Sequence, residues 1–237
     1  MPKVNKKEAE EIIYWAKRAY SARMVPGTSG NISAYNGKEI LLSASGVCLG
    51  DMEIKDIAIL DGTRSIDGSI SGAVLNNVKP SSEKLMHLKI YEKRPDIKAI
   101  IHIHCPYTTS FAVCHKEMNE PILPEFIYNF STAQAGAAIG DAISIDNKAL
   151  RGIPSAKYAL PSSIELAEEI ANHFRAGNNA VLMENHGLVA GAGTLKQTFY
   201  ILESIQAYAK TYFAAKFLGE IKTLNEEEVL KIKNLKG

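Results

Sequence analysis

The chain has 237 residues, 46% hydrophobic and 22% charged, with a formal net charge of +1. That composition predicts an ordinary globular protein and, with no basic stripe, argues against a nucleic-acid partner; no apolar run approaches the ~20 residues of a membrane span, and MPKVNKKEAEE shows no signal-peptide apolar core. Three scattered cysteines, Cys48, Cys105 and Cys114, lack CxxC spacing and point to a reducing compartment, with the cytoplasm as the expected location.

In chain order, NKKEAEEIIYWAKRAYSAR predicts an amphipathic helix, with Asn5 as N-cap and Ile12, Ile13, Ala16 and Tyr20 at helical spacing. Asn36-Gly37 signals a hairpin, and turns at DGT and DGS extend it into a meander of strands. SSEKLMHLKIYEKRPD opens as a capped helix and stops at Pro95. IKAIIHIH predicts a strand, and PYTTSFAVCHK a helix with Pro106 in its first turn. PSSIELAEEIANHFRAG reads as a capped helix ending at Gly177. NAVLMENHGLVAGAG reads as one apolar strand interrupted by a polar insert, before a long last helix from TLKQTF to FLG. No repeat or linker divides the chain, so the expectation is one domain over 1–237, a mixed or largely antiparallel sheet covered by helices.

Two histidines one residue apart, in IIHIHCPYT, share a strand face, so His102 and His104 point the same way. Such a pair is either a solvated patch or a holder of something between the rings. His186, in MENHGLV, sits at the break in another apolar strand, and three imidazoles with an open position describe a catalytic metal site. His173 reads as a surface residue, His115 as a helix-end residue, and His87, four residues after Glu83, as core or as a neighbour of the site. GTSGN at 27–31, SASG at 43–46 and KPSSE at 79–83 are each an anion-binding nest or simply a turn or cap. Neither a P-loop nor a dinucleotide GxGxxG is present. Glu83 is a first-turn carboxylate or, beside a metal, a general base.

Together GTSGNIS, SASG, KPSSE, IIHIHCPYTTSFA and ENHGLVAGAGTL resemble, in this order and over nearly the whole chain, the class II aldolase/adducin family, and within it the L-fuculose-phosphate aldolase branch. The resemblance implies a three-layer αβα domain with a central, mainly antiparallel sheet, and a homotetramer with active sites at subunit interfaces. It implies that His102, His104 and His186 bind Zn2+ or another divalent transition metal. Glu83 would serve as a resting-state ligand and as the catalytic base. Asn31, Ser45, Gly46, Ser81 and Ser82 match phosphate-holding positions, with Thr28 and Gly30 in the first of these loops. The implied reaction is reversible cleavage of a ketose 1-phosphate to dihydroxyacetone phosphate and a small aldehyde. A tyrosine acting on the aldehyde oxygen is expected in EPILPEFIYNF, where Glu125 falls near the matching position and Tyr128, three residues on, is the candidate acid or a core residue. The chain ends before the family's C-terminal tyrosine. The relatives implied as alternatives are methylthioribulose-1-phosphate dehydratase, L-ribulose-5-phosphate 4-epimerase, which carries Asp where Glu83 stands, and an adducin-like scaffold without catalysis.

Overall fold

The computed structural model describes residues 5–130 and 152–235. Its centre is a seven-stranded sheet, built from β1 (Asn31–Tyr35), β2 (Glu39–Ser43), β3 (Ile57–Asp61), β4 (Ala99–Ile103), β5 (Ser155–Ala156), β6 (Ala180–Met183) and β7 (Gly187–Ala192). The strand order is β3-β2-β1-β4-β7-β6-β5, and every neighbouring pair is antiparallel except β5 and β6. The expected meander is β1-β2-β3: Asn36 Oδ1 accepts from the backbone N–H groups of Lys38 and Glu39, and Gly37 takes φ +95°, which closes the first turn.

Helices cover both faces, as a sheet apolar on both sides requires. One core gathers Ile12, Trp15, Ile101, Ile103, Phe199 and Tyr208, from α1 (Lys6–Ser21), β4 and α6 (Leu195–Leu218), together with residues of α3 (Pro106–Val113), α4 (Pro124–Phe130) and α7 (Glu226–Lys233). The other joins Ile40, Ile100 and Val189 to Tyr91 of α2 (Lys84–Lys93) and Phe174 of α5 (Ile164–Arg175). β4 is therefore buried along its whole length, Ile101 and Ile103 on one face and Ile100 and His102 on the other.

Three sequence expectations are corrected. NAVLMENHGLVAGAG is a hairpin, β6 and β7, because Asn185 adopts φ +54° and reverses the chain between two equally apolar arms. The long helix is followed by α7, whose capping box between Asn225 and Glu228 starts it in a segment with little apolar signal of its own. Tyr20 is exposed rather than on the buried stripe of α1. Asn5 caps α1 as the sequence predicts, and the cap expected for PSSIELAEEIANHFRAG is Ser163; each accepts a backbone N–H.

Candidate active site

Antiparallel pairing brings four strand ends to one place. β1 begins at Asn31 opposite His102, near the end of β4, and β7 begins at Gly187, with Leu188 opposite Ile103. β2 ends at Ser43, and a bridge between Ala44 and Pro80 ties the segment before α2 to that end of the sheet. Ser45 N–H donates to Lys79 O and Ser81 N–H to Ser43 O, which seats Glu83 over these strand ends. Glu83 is the N-cap of α2, but its carboxylate caps nothing in the helix. It turns into the site instead.

There the three expected histidines converge. Their ligating nitrogens all lie within 4.8 Å of one another, and the ring centroids are 4.6, 4.9 and 5.1 Å apart. His102 Nδ1 donates to Leu188 O at 3.1 Å, because a carbonyl only accepts, so His102 Nε2 carries a lone pair. That lone pair faces His104 Nε2 at 2.7 Å and Glu83 Oε2 at 3.2 Å. His186 Nε2 lies 3.3 Å from Glu83 Oε1. Burial, reinforced by the neighbouring imidazoles, holds His102 well below the ordinary histidine pKa, and burial chiefly does the same to His104. Two neutral imidazoles and a carboxylate thus aim electron pairs at a common point. Among the described residues Glu83 Oε1 and His186 Nδ1 are buried without a hydrogen-bond partner. Converging lone pairs on a buried carboxylate repel unless a cation lies among them, so this donor set fits a divalent transition metal.

The three small-residue loops form one pocket beside this cluster, about 210 Å³ in volume. Thr28, Gly30, Asn31, Ser45, Gly46, Ser81 and Ser82 all line it, with Glu83, His104 and His186 at its base. Gly30 has no alternative: at φ +75°, a Cβ would lie 2.5 Å from Val25 Cγ1 and 2.7 Å from His102 O. No Lys or Arg lines the pocket among the described residues. An anion would be held by hydroxyls, backbone N–H groups and the N-terminal ends of α2 and α5. The second of these ends, Pro161 and Ser162, closes the pocket from the far side and was not signalled by the sequence, since nothing local links it to residues some eighty positions earlier. The volume is below the ~300–1,000 Å³ of pockets for drug-sized ligands and suits a small one.

Asn31 is placed in the pocket, yet its side chain is already engaged: Nδ2 donates to Glu83 Oε2 at 2.8 Å and Oδ1 faces His87 Nε2 at 2.5 Å. Tyr128 is not brought to the site. It is 38% exposed on α4 and absent from the pocket wall, so it is not a core tyrosine either. His115, just past α3 at φ +49°, bonds Asn185 Oδ1 and braces the turn that carries His186. His173 is partly buried on α5 beside Glu169. Cys105 points away from the histidines into the core, where Gln206 Nε2 donates to its sulfur.

Residues 10–213 match the family model described as the class II aldolase and adducin N-terminal domain. The chain is 33% identical over 225 residues to a 5-deoxy-D-ribulose 1-phosphate aldolase of Bacillus thuringiensis serovar kurstaki, covering 94% of this chain and 92% of that one. A 3-oxo-tetronate 4-phosphate decarboxylase of Haemophilus influenzae is 26% identical, with 96% of each chain covered. A solved L-fuculose 1-phosphate aldolase superposes with a TM-score of 0.77 at 29% identity, over 98% of this chain and 96% of that one.

Proposed function

The chain belongs to the class II aldolase and adducin N-terminal domain family, and from that membership we propose that it cleaves a ketose 1-phosphate reversibly to dihydroxyacetone phosphate and a small aldehyde. It is an enzyme of the lyase type, a single domain over 1–237 in this proposal. The observation that carries the reading is Glu83, a buried carboxylate set between His102 and His186 at the base of a hydroxyl-lined pocket. A non-catalytic scaffold has no use for such a group.

Zinc, or another divalent transition metal, held by His102, His104 and His186 would supply Lewis-acid polarisation of the substrate carbonyl. The remaining work falls to the chain. Ser45, Ser82, Thr28 and the backbone around Gly30, Gly46 and Ser81 bind the phosphate, and this remote contact orients the reacting carbons. On cleavage the hydroxyl next to the breaking carbon–carbon bond gives up its proton on the aldehyde side of the site, ultimately to solvent, as the aldehyde forms. The bonding pair moves toward the ketone as an enediolate, and the Glu83 carboxylate takes up a proton from solvent in its place. Glu83 then delivers a proton to the carbon left behind, and in the reverse direction removes it. Tyr128, exposed on α4, is assigned to the aldehyde oxygen of a neighbouring copy, within a homotetramer whose sites lie at subunit interfaces. Its three free cysteines suit a reducing cytoplasm.

The test is metal content per chain on protein purified without chelator, then proton exchange into dihydroxyacetone phosphate in deuterated water. Near-stoichiometric metal with exchange is expected, and Glu83→Gln should keep fold and metal while slowing exchange roughly 100-fold or more. Full exchange in Glu83→Gln would remove Glu83 from the chemistry. Incubation with 5-deoxy-D-ribulose 1-phosphate and L-fuculose 1-phosphate then ranks the aldehydes. Release of carbon dioxide from 3-oxo-tetronate 4-phosphate, without aldol cleavage of either sugar, would replace the aldolase reading with the decarboxylase one.

A further inference from the structure

Behind Glu83, on the side away from the pocket, lies a file of polar groups that the proposed chemistry does not use. Glu83, His87 and Tyr91 follow one another at four-residue steps from the start of α2. Asn31 and Ser33 alternate on one face of β1. His87 Nε2 is 2.5 Å from Asn31 Oδ1, His87 Nδ1 is 2.7 Å from Ser33 Oγ, and Ser33 Oγ is 2.7 Å from Tyr91 OH. His87, Ser33 and Tyr91 are completely buried. Their core would be simpler to fill with apolar side chains, because a half-satisfied polar network there is costly.

The direction of the file follows from its anionic end. Glu83 Oε2 accepts from Asn31 Nδ2, so the amide oxygen of Asn31 faces His87 and can only accept. His87 Nε2 must then carry the proton. Burial pushes His87 down to about 3, so its ring is neutral and its Nδ1 is an acceptor. Ser33 donates to that nitrogen, and Tyr91, whose phenol burial keeps protonated, donates to Ser33. Each group has one consistent role from Tyr91 to the carboxylate. An Asn31 amide turned by 180° would set its oxygen against the Glu83 carboxylate and would require every role in the file to reverse.

We propose that Tyr91, Ser33 and His87 are a one-way hydrogen-bond chain that locks the Asn31 amide with its N–H groups toward Glu83 and the pocket, which makes His87 a positioning residue for the Glu83 carboxylate. One Asn31 N–H is spent on Glu83, and the second is left for substrate. The functional half of this inference rests on the reading of Glu83 as the proton-transfer group.

The test separates the two. Long-range proton–nitrogen correlation spectra of the 15N-labelled, zinc-loaded protein, with His87→Gln to assign the signal, should show the His87 ring in its Nε2–H tautomer. His87→Leu should lower kcat for proton exchange into dihydroxyacetone phosphate roughly 10–100-fold, the cost typical of losing a group that orients a site residue, with KM and metal content little changed. Ser33→Ala should move kcat the same way. His87→Gln should recover most of the loss, since its amide can donate to Asn31 and accept from Ser33, whereas a merely space-filling role would favour leucine. An Nδ1–H tautomer in the wild-type protein overturns the chain even if exchange is normal. So does a folded Ser33→Ala or His87→Leu protein that exchanges at the wild-type kcat. Wild-type protein that shows the Nε2–H tautomer but no exchange overturns the aldolase reading and leaves the hydrogen-bond chain standing.

Discussion

A methyl group on Gly187 would lie 2.5 Å from Ile103 O, 3.1 Å from His102 Cε1 and 3.3 Å from His104 Cδ2. The missing side chain is thus what allows the β6–β7 turn to press His186 against the other two imidazoles. Gly187→Ala should cost about 1–3 kcal/mol in urea unfolding through overpacking, and should weaken metal binding at the same time. The pairing of the two effects is the diagnostic part, because a backbone shift here falls on both histidines. His104→Ala acts differently. With two imidazoles left, metal affinity should fall by more than the ~10–100-fold that loss of an outer partner costs, as read by titration of the metal-free protein. Its unfolding midpoint without metal should change little, since His104 is only partly buried.

Between elements, Arg94 joins the end of α2 to the end of α5. Its guanidinium meets both carboxylate oxygens of Asp96 at 2.8 and 2.7 Å, and donates to Phe174 O, Asn178 O and Asn179 Oδ1 at 3.0–3.1 Å. Five aligned donors suit arginine's planar fork and no other side chain. Arg94→Lys should therefore destabilise the protein by about 2 kcal/mol, measured by denaturant midpoint, without altering metal content. Because α2 also carries Glu83 and His87, slower exchange would accompany the loss if the helix pivots. At the other face Thr194, whose hydroxyl accepts from Gln197 N–H, starts the 24-residue α6 that underlies the sheet. Thr194→Ala should cost about 1 kcal/mol and leave catalysis untouched, as the site is at the opposite end of β7.

For the whole molecule, the buried histidines set an acid limit. His87 has its pKa pushed down to about 3 by burial, against an ordinary value of 6.5. Below pH 6.5 the unfolded chain takes up this proton while the folded one does not, so stability present above 6.5 is lost progressively as pH falls toward 3. His102 and His104 are shifted the same way and add to the slope. Asp96, held below its ordinary 3.8 chiefly by its hydrogen bond from Arg94, adds a further loss at still lower pH. Urea midpoints of the metal-free protein at about pH 7.5 and about pH 5 should differ clearly, and by less in His87→Gln. Loaded metal should raise the midpoint at neutral pH, because it binds the folded state and not the unfolded one.

What the sequence by itself determined were features decided within a few residues. The caps Asn5 and Ser163, the Asn36-Gly37 turn, Pro106 at the head of α3 and the shared face of His102 and His104 each depend on neighbours no more than four positions away. Two parts of the candidate metal site were legible for the same reason: an HxH pair and an acidic helix start are local patterns. Tertiary structure decided which of these patterns meet. Glu83 reaches Asn31 across 52 positions because the Ala44–Pro80 bridge ties the start of α2 to the end of β2 beside β1, and His102 reaches the Leu188 carbonyl across 86 because β4 and β7 lie side by side. The reversal at Asn185 was hidden because its two arms are equally apolar, so periodicity alone does not show where the chain turns back. Pro161 and Ser162 join the pocket only because α5 packs beside α2. Residue types and spacing set the chemistry available, and the order of strands in the sheet set the atoms on which it acts.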